Sequence, residues 1–192
     1  DYNIKSTLFT LSDIASIVKT DLLSAINAGH EISSHGTSHK RPLTISKEEF
    51  IQDIIYSKKA IEDTLSTEVL GYRAPCFSMN NELLEELKNT GHQYDSSMID
   101  FASHPLYGGI DSSNFIKRMD NVYQDGILTE FELPTANLFN RNIPISGGGY
   151  LRIFPWQMMK KLILDYLATH QTYFLYIHPF ELSNKAPLSV ED

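Results

Sequence analysis

The spacing of apolar residues along the chain changes repeatedly between the period of a helix and that of a strand. Apolar side chains at positions 14, 17, 18, 22, 23 and 26 recur every three or four residues, and Gly29 ends that pattern. Short runs rich in β-branched and aromatic residues lie between such segments. The pattern predicts strands at residues 4–10, 31–34, 69–72, 127–133, 143–145 and 172–177, and a turn followed by a strand at 91–97. It predicts helices from the cap at 12–13 to Gly29, across 47–61, from the cap at 80–81 to 87, and from 155 to 167.

The order of these elements indicates how the chain folds. Strands alternate with helices almost throughout, which is typical of parallel β/α units in an open sheet or a barrel. Residues 100–126, with scattered Gly, Asp, Ser and Asn, are predicted to form a long surface excursion of the kind that shapes a binding groove. In parallel α/β folds the chemistry gathers at the C-terminal ends of the strands. Four candidate positions follow predicted strands and are expected at one rim: His35, Arg73, Gly147 and His178.

Length, charge and cysteine content narrow the class of protein. The 192 residues suffice for one sizeable domain, and residues 1–192 are predicted to form a single one. The net charge of −8 and the lack of any basic run exclude the electrostatic footprint of nucleic-acid binding. No apolar run approaches the length of a membrane span. The single cysteine, Cys76, excludes a disulfide framework and a Cys-rich zinc site, and it leaves the redox compartment open, so cytoplasm and cell envelope both remain.

His35 and His39 are the strongest candidates for a chemical role. Two histidines four residues apart can share a metal ion when they reach one side of a turn. The same spacing also occurs in polar loops, where the imidazoles are merely solvated or cap a turn. Here the pair follows a strand and is flanked by Ser and Gly, which favours two metal ligands. His30 precedes the same strand, on the side away from the rim, and is interpreted as structural.

The segment Tyr-Arg-Ala-Pro at 72–75 supplies two further candidates. Arg73 is either a surface arginine at a turn or a partner for a carboxylate beside the metal. Pro75 stiffens the loop and leaves the N–H of Cys76 or of the next residue free to face a substrate oxygen. The Cys76 thiol itself is interpreted as a packing residue, since no histidine is its neighbour in the sequence.

The last apolar segment, 172–177, leads into His178. A single histidine there is usually a satisfied core residue, but its position at the rim favours a catalytic acid or base. The three glycines at 147–149 do not fit a phosphate-binding motif, so a close sugar contact or a plain turn is favoured. Three neighbouring side chains are predicted to bind substrate: Tyr150, Arg152 and Trp156.

Taken in order, these segments resemble the polysaccharide deacetylase family with NodB homology, also called carbohydrate esterase family four. The resemblance rests on His-Gly-Thr-Ser-His at 35–39, Arg-Ala-Pro at 73–75 and Leu-Tyr-Ile-His at 175–178, which match the second, third and fifth motifs of that family. It covers nearly the whole chain. Three longer stretches are most similar to the branch found in bacterial exopolysaccharide gene clusters: 72–78, 146–152 and 176–181.

The resemblance implies a fold and a set of roles. Such proteins have a distorted (β/α)₇ barrel and remove N- or O-acetyl groups from sugars with one divalent metal, commonly zinc. By resemblance, His35 and His39 are two metal ligands and Arg73 tethers the catalytic base. The backbone N–H near Cys76 helps to hold the oxyanion, and His178 protonates the leaving amine.

Two motifs of the family are missing. Its first motif, Thr-Phe-Asp-Asp-Gly, carries the base and the third metal ligand, and no Asp-Asp pair occurs in this chain. Because the first residues match the segment that lies directly after that motif in the family, we expect the domain to be incomplete at its N-terminus and this chain alone to be inactive. An Asp-x-x-x-x-Trp motif that orients the acidic histidine is also absent, since Leu151 lies five positions before Trp156. Glu130 and Glu132 are the predicted substitutes for orienting the histidine.

The leading hypothesis is a metal-dependent hydrolase that removes acetyl groups from N-acetylated sugars of a polysaccharide. Two alternatives remain at this stage. One is a non-catalytic carbohydrate-binding relative that kept the fold and lost the base. The other is an amidohydrolase acting on small cyclic amides, since related barrels carry out that chemistry.

Overall fold

The computed structural model describes residues 3–101 and 104–182. Its main sheet has seven strands in the order β1-β2-β3-β4-β7-β6-β5. The first five in that order run parallel, and β6 and β5 are antiparallel to their neighbours. Their bounds are β1 Thr7–Thr10, β2 Glu31–Ser34, β3 Gly71–Tyr72, β4 Tyr94–Asp95, β5 Ile116–Met119, β6 Val122–Asp125 and β7 Leu128–Phe131. A separate antiparallel hairpin consists of β8 Thr135–Leu138 and β9 Arg141–Pro144.

Helices connect and cover the parallel strands. The α-helices are α1 Ser12–Ala15, α2 Lys19–Asn27, α3 Lys47–Leu65, α4 Asn81–Asn89, α5 Tyr150–Ile153 and α6 Trp156–Leu167. Short 3₁₀ helices occupy Pro42–Thr44, Pro75–Phe77 and Pro179–Leu182. No helix within the described ranges is both long and apolar enough to cross a bilayer.

Helix α3 shows how local sequence sets an element. Ser46 Oγ accepts a hydrogen bond from the Glu49 N–H at 3.1 Å, and the Ser46 N–H donates to Glu49 Oε2 at 2.9 Å. This reciprocal capping box satisfies two backbone donors that the first turn would otherwise leave unpaired. From this fixed start, Phe50, Ile54 and Ile61 fall on one face and are fully buried. The predicted helix and its cap are confirmed.

The core lies between the sheet and helices α3 and α4. The apolar face of α4 meets that of α3 over the middle of the sheet. Its largest cluster comprises Phe50, Ile54, Tyr72, Ala74, Met79, Leu83, Leu84, Leu87 and Leu128. The predicted α/β class with a parallel-rich sheet is confirmed, and the described strands form an open sheet that does not close into a barrel.

The structure corrects the prediction for residues 100–126. Residues 116–125 form the hairpin β5–β6 at the edge of the main sheet, where a surface excursion was predicted. All four residues of β5 are exposed, so this strand lacks the apolar alternation by which strands are recognised in a sequence. Strand β5 is therefore held by its pairing with β6, which in turn pairs with β7, and not by its own burial.

The predicted strand at 172–177 is also wrong. Strand β7 has β4 on one side and β6 on the other, so this segment cannot pair with β7, the strand against which it packs. Tyr176 makes an isolated parallel bridge with Gly147, and Phe174 packs its ring against Phe131 at a centroid distance of 5.4 Å. Phe174 and Tyr176 therefore serve packing rather than a strand of the main sheet, whereas Leu175 and Ile177 are more than half exposed.

The predicted helix between residue 12 and Gly29 is divided in two. Helix α1 ends at Ala15 and α2 begins at Lys19, with a turn between them. The first piece remains tied to the end of β2, because the N–H groups of Ser12 and Asp13 donate to the carbonyl oxygens of Gly36 and Thr37. These bonds link the α1 helix to the turn that carries the two candidate metal ligands.

Candidate metal and active site

The candidate site begins at the turn after β2, which carries His35 and His39. Gly36 has φ +79° and His39 has φ 62°, so the turn is left-handed at two points and not helical. The Thr37 N–H donates to Asp53 Oδ1 at 3.2 Å, which anchors the turn to α3. The two imidazole rings lie 5.1 Å apart between centroids, at an interplanar angle of 69°. The histidines are thus neighbours, as their spacing predicted, although the turn differs.

His35 is held in one orientation and one tautomer. Its Nδ1 lies 2.6 Å from the carbonyl oxygen of Arg73. Because a carbonyl can only accept, Nδ1 carries the proton and Nε2 keeps its lone pair. Burial lowers the pKa of His35 to about 4, so the ring is neutral at pH 7. A backbone partner on the second ring nitrogen is the usual arrangement behind a histidine that binds a metal.

The two imidazoles are ligands that zinc accepts, but two ligands are too few for a zinc site. Burial lowers the pKa of His39 as well, with the charge of His178 as the next cause, so both imidazoles are available as neutral ligands. A zinc site uses at least three protein ligands. Within residues 3–101 and 104–182 no group of three or more His, Cys, Asp or Glu side chains is close enough to hold a metal. His35 and His39 would hold the ion, and a further ligand has to complete the site.

Arg73 follows β3, and its carbonyl oxygen contacts the His35 ring. Its Nε donates to the Ser96 carbonyl oxygen at 2.9 Å and its Nη2 to Ser96 Oγ at 2.7 Å, while the guanidinium lies 4.3 Å from the centroid of the Phe9 ring. No carboxylate of the described residues forms an ion pair with it, so the predicted tether to a base is not seen in this part of the chain. Burial lowers the pKa of Arg73 to about 10, opposed by the nearby charge of Asp95, and the arginine stays cationic.

The loop after Arg73 presents a backbone N–H. Cys76 and Phe77 have φ 54° and 50°, two left-handed residues in succession behind Pro75. The Cys76 N–H donates to no group in the described part of the chain, whereas the Phe77 N–H is bonded to the Ala74 carbonyl oxygen. Consecutive residues in unusual conformations at a site are strained and often present N–H groups to an anion. Burial raises the pKa of the Cys76 thiol, which agrees with its interpretation as unreactive.

His178 is oriented by a residue that the sequence analysis missed. Its Nδ1 lies 3.2 Å from Glu181 Oε2, and its N–H donates to the same oxygen at 2.6 Å. Glu181 Oε1 in turn pairs with Arg152 Nη2 at 3.2 Å. The Phe180 ring stacks on the His178 ring at 5.1 Å. The sequence did contain a signal for this contact. His178 and Glu181 are three residues apart, and residues at that spacing face each other in a helical turn such as Pro179–Leu182.

Glu130 and Glu132, the predicted partners of His178, have other partners. Glu130 is fully buried and its Oε1 accepts from the N–H groups of Ser97 and Met98. Glu132 Oε2 accepts from the Tyr123 hydroxyl at 2.9 Å. That prediction is wrong. Glu130 points into the core, and Glu132 bonds to Tyr123 of the β5–β6 hairpin, which the sequence analysis did not predict.

A family model described as "Polysaccharide deacetylase" matches residues 1–94. A second, described as "Domain of unknown function (DUF3473)", matches residues 96–191. The chain belongs to the polysaccharide deacetylase family. Members of this family are hydrolases of acetylated polysaccharide and are generally metal-dependent.

Individual relatives agree with this assignment. A peptidoglycan deacetylase from Helicobacter pylori is 26% identical over 112 residues, which are 58% of this chain and 38% of the relative. The chain thus spans about two fifths of the length of that relative. A crystal structure of a polysaccharide deacetylase homologue from Mycobacterium smegmatis has a TM-score of 0.53 at 24% identity, over 69% of this chain and 41% of that one. A family four pseudoenzyme from Bacillus anthracis has a TM-score of 0.55 at 12% identity, over 93% of this chain and 46% of that one.

The glycine run and the predicted substrate contacts are distributed around this site. A Cβ on Gly147 would lie 1.9 Å from the Tyr176 carbonyl oxygen, so this glycine is needed for a close backbone approach, which supports the plain-turn interpretation. Tyr150 packs its ring on Phe101 at 5.7 Å. Trp156 begins α6 with 56% of its surface exposed. Arg152 reaches the site only through its ion pair beside His178.

Proposed function

We propose that this deacetylase-family chain forms the catalytic core of a metal-dependent hydrolase that removes acetyl groups from N-acetylated sugars of a polysaccharide. The observation that carries the proposal is the convergence of two neutral imidazoles, His35 and His39, with His178 at one rim of the sheet. The His35 and His39 rings lie 5.1 Å apart between centroids, and the charge of His178 contributes to the lowered pKa of both, which supports this arrangement. We also propose that residues 1–192 belong to a single domain.

Each residue at the rim is suited to one part of the reaction. His35 and His39 would hold the divalent ion, for which zinc is the proposed identity because its sites favour neutral imidazole. Such an ion polarises an acetyl carbonyl and lowers the pKa of a water molecule. The Cys76 N–H has no acceptor among the described residues and is proposed to donate to the oxygen that gains charge. The Arg73 side chain keeps its positive charge, and the Arg73 carbonyl oxygen fixes the His35 ring.

His178 would transfer the proton to the leaving amine. Glu181 occupies its Nδ1 side, which leaves Nε2 as the atom that meets the substrate. Arg152 is proposed to act through Glu181 rather than by touching the sugar, because its Nη2 pairs with the second carboxylate oxygen. Tyr150 and Trp156 remain proposed substrate contacts.

Metal content separates this proposal from its rivals. We expect zinc to be retained by the full-length wild-type protein, which can supply the ligand that the described residues lack, and to be lost in its His35→Ala and His39→Ala variants, as measured by mass spectrometry of the purified protein after dialysis. His30→Ala is the matched control, because His30 lies at the other end of β2 and its Nδ1 bonds to Ser6. Release of acetate from N-acetylglucosamine oligomers tests the reaction. A wild-type protein without metal, or equal metal loss in the His30 variant, contradicts the proposal.

A non-catalytic carbohydrate-binding protein is the second candidate. It is favoured by the pair of ligands, rather than three, in the described part of the chain. The pseudoenzyme from Bacillus anthracis shares the fold only, and shows that the fold does not guarantee activity. Binding of the same oligomers without acetate release, in a protein loaded with zinc, would favour this candidate.

A further inference from the structure

The loop at Cys76 and Phe77 keeps a conformation that its own residues disfavour. Their φ angles are 54° and 50°, and neither residue is a glycine. A non-glycine residue in this region is strained, and it persists only where the surrounding structure enforces it. The Phe77 N–H bonds to the Ala74 carbonyl oxygen at 3.0 Å, but that bond also closes an ordinary type I turn, in which Cys76 would be right-handed. Contacts from outside the loop therefore select the left-handed form.

Residues 107–111, here called the clamp segment, lie beside this loop and pair with it. The Gly108 N–H donates to the Phe77 carbonyl oxygen at 2.9 Å. Gly109 forms an isolated parallel bridge with Asn80. The pairing thus begins at the second left-handed residue and continues along the chain that follows it.

The far end of the clamp segment is fastened by a side chain. Asn81 Nδ2 donates to the Asp111 carbonyl oxygen at 2.8 Å, and Asn81 Oδ1 accepts from the Asp111 N–H at 2.8 Å. A side-chain amide that bonds both backbone groups of one residue acts like the partner residue of a strand. Together with the Gly108 bond, it ties both ends of the segment to residues 77–81.

Gly108 allows a close approach between the two segments. A Cβ at this position would lie 1.9 Å from the Met79 carbonyl oxygen and 2.4 Å from the Met79 nitrogen, and Met79 is fully buried. Any side chain would therefore force the segments apart. The Tyr107 ring also meets the Phe77 ring edge-on, at 5.2 Å between centroids. The clamp segment thus holds both the backbone and the side chain of Phe77.

We infer that the clamp segment holds Cys76 and Phe77 in their left-handed conformation and so presents the Cys76 N–H to the substrate, with Gly108 as the positioning residue. This inference rests on the proposed function, in which that N–H stabilises the oxygen that gains charge. The clamp segment belongs to the matched region 96–191 and the loop to the matched region 1–94, so the second region takes part in the chemistry of the first. Because the oxygen gains its charge only in the transition state, loss of the clamp lowers kcat and leaves KM nearly unchanged.

The kinetic test follows acetate release from the hexamer of N-acetylglucosamine by the full-length protein loaded with zinc. Gly108→Ala is expected to lower kcat roughly 10-fold to 100-fold and to change KM by less than about twofold. Gly109→Ala is the matched control, since its new Cβ meets nothing within 4 Å, and it should keep the wild-type kcat. Asn81→Ala removes the two bonds to Asp111 without adding atoms, so it tests the clamp even if Gly108→Ala does not fold. Its expected loss is roughly 3-fold to 10-fold in kcat.

A rescue experiment separates positioning from general damage. Glycine adopts a left-handed φ without strain, so Cys76→Gly keeps the N–H and needs less support from the clamp segment. In the Gly108→Ala background, Cys76→Gly should recover at least about threefold in kcat.

Alkylation of Cys76 by iodoacetamide, followed by mass spectrometry of its peptide, reports the state of the loop without any need for activity. Burial raises the pKa of the thiol, so release of the loop should speed the reaction by about threefold or more in Gly108→Ala and Asn81→Ala. Gly109→Ala should react at the wild-type rate.

The outcomes separate the clamp from the proposed function. Unchanged kcat and unchanged labelling in Gly108→Ala and Asn81→Ala refute the clamp and leave the proposed function standing. Faster labelling without loss of kcat refutes the positioning role, as does a loss expressed mainly in KM or an equal loss of kcat in Gly109→Ala. If the wild-type protein releases no acetate, the proposed function fails, and the labelling rates still decide whether the clamp segment holds the loop.

Discussion

Glu130 offers a sharp test of how the candidate site is supported. It is fully buried beneath the rim, and its Oε1 accepts from the N–H groups of Ser97 at 3.1 Å and Met98 at 2.8 Å. Burial raises the pKa of Asp95 and Glu130, and for Glu130 the charge of Asp95 is the second cause. Glu130 Oε2 has no hydrogen-bond partner among the described residues. Because the raised pKa of Glu130 favours its neutral form beside Asp95, we predict that the pair shares one proton.

Asp95 and Glu130 are also linked by hydrogen bonds to the loop that carries the Cys76 N–H. Asp95 accepts from both the N–H and the hydroxyl of Ser97, at 2.9 Å and 2.8 Å. Ser97 Oγ in turn accepts from the Ala74 N–H at 2.8 Å, one residue after Arg73. Loss of Glu130 should therefore disturb both stability and the position of the Arg73 loop.

Two substitutions at Glu130 separate its shape from its proton. Glu130→Ala leaves the Met98 N–H unpaired, takes one of two acceptors from the Ser97 N–H, and opens a cavity. We expect a loss of roughly 2–5 kcal/mol in the free energy of unfolding. Glu130→Gln keeps the Oε1 acceptor and supplies a permanent donor to Asp95. We expect it to change stability at pH 7 by less than about 1 kcal/mol.

The pH dependence of unfolding checks the shared proton. Because the folded-state pKa is raised, the contribution to stability is fully present below the unfolded pKa and is lost as pH rises through the folded one. Urea denaturation of the wild type should therefore show stability that falls from pH 6.5 to pH 8, above the range in which the lowered pKa values of His35, His39 and His92 make stability rise with pH, and Glu130→Gln should flatten the curve. The reasoning is refuted if Glu130→Gln is as destabilising as Glu130→Ala, or if its pH dependence equals that of the wild type.

Three further substitutions test other parts of the fold. Gly36→Ala should cost about 1–2 kcal/mol and weaken zinc binding, because φ is +79° and the new Cβ would lie 2.8 Å from Asp53 Oδ2; thermal unfolding and a zinc titration measure the two effects. Burial, followed by the charge of Lys58, lowers the pKa of His92 to about 4, so its contribution is lost as pH falls below 6.5. His92→Leu should therefore lose less stability than the wild type between pH 6.5 and pH 4 in urea denaturation, and an unchanged slope would contradict this. Ser46→Ala should cost about 1 kcal/mol through loss of the capping box, and an unchanged melting temperature would show that the cap is not needed.

The sequence alone determined the parts of this protein that depend on near neighbours. The capping box of α3 needs only Ser46 and Glu49, and its apolar face needs only the helical period. The turn from His35 to His39 is likewise local, so the neighbouring rings followed from their spacing. The alternation of strands and helices predicted the parallel sheet, and hence the rim at which His35 and Arg73 follow β2 and β3.

The tertiary structure decided whatever depends on which segments compete for the same neighbour. Strand β5 is wholly exposed, and it exists because β6 pairs with β7. That pairing closes the edge of β7. Residues 172–177 therefore pack against β7 without pairing with it, although their composition favours a strand. The tertiary structure also decides which carboxylate meets His178. Glu130 is fully buried and bonds elsewhere, and Glu181 contacts His178 instead. Apolar composition gives a segment its tendency, but the number of free sheet edges is a property of the whole fold.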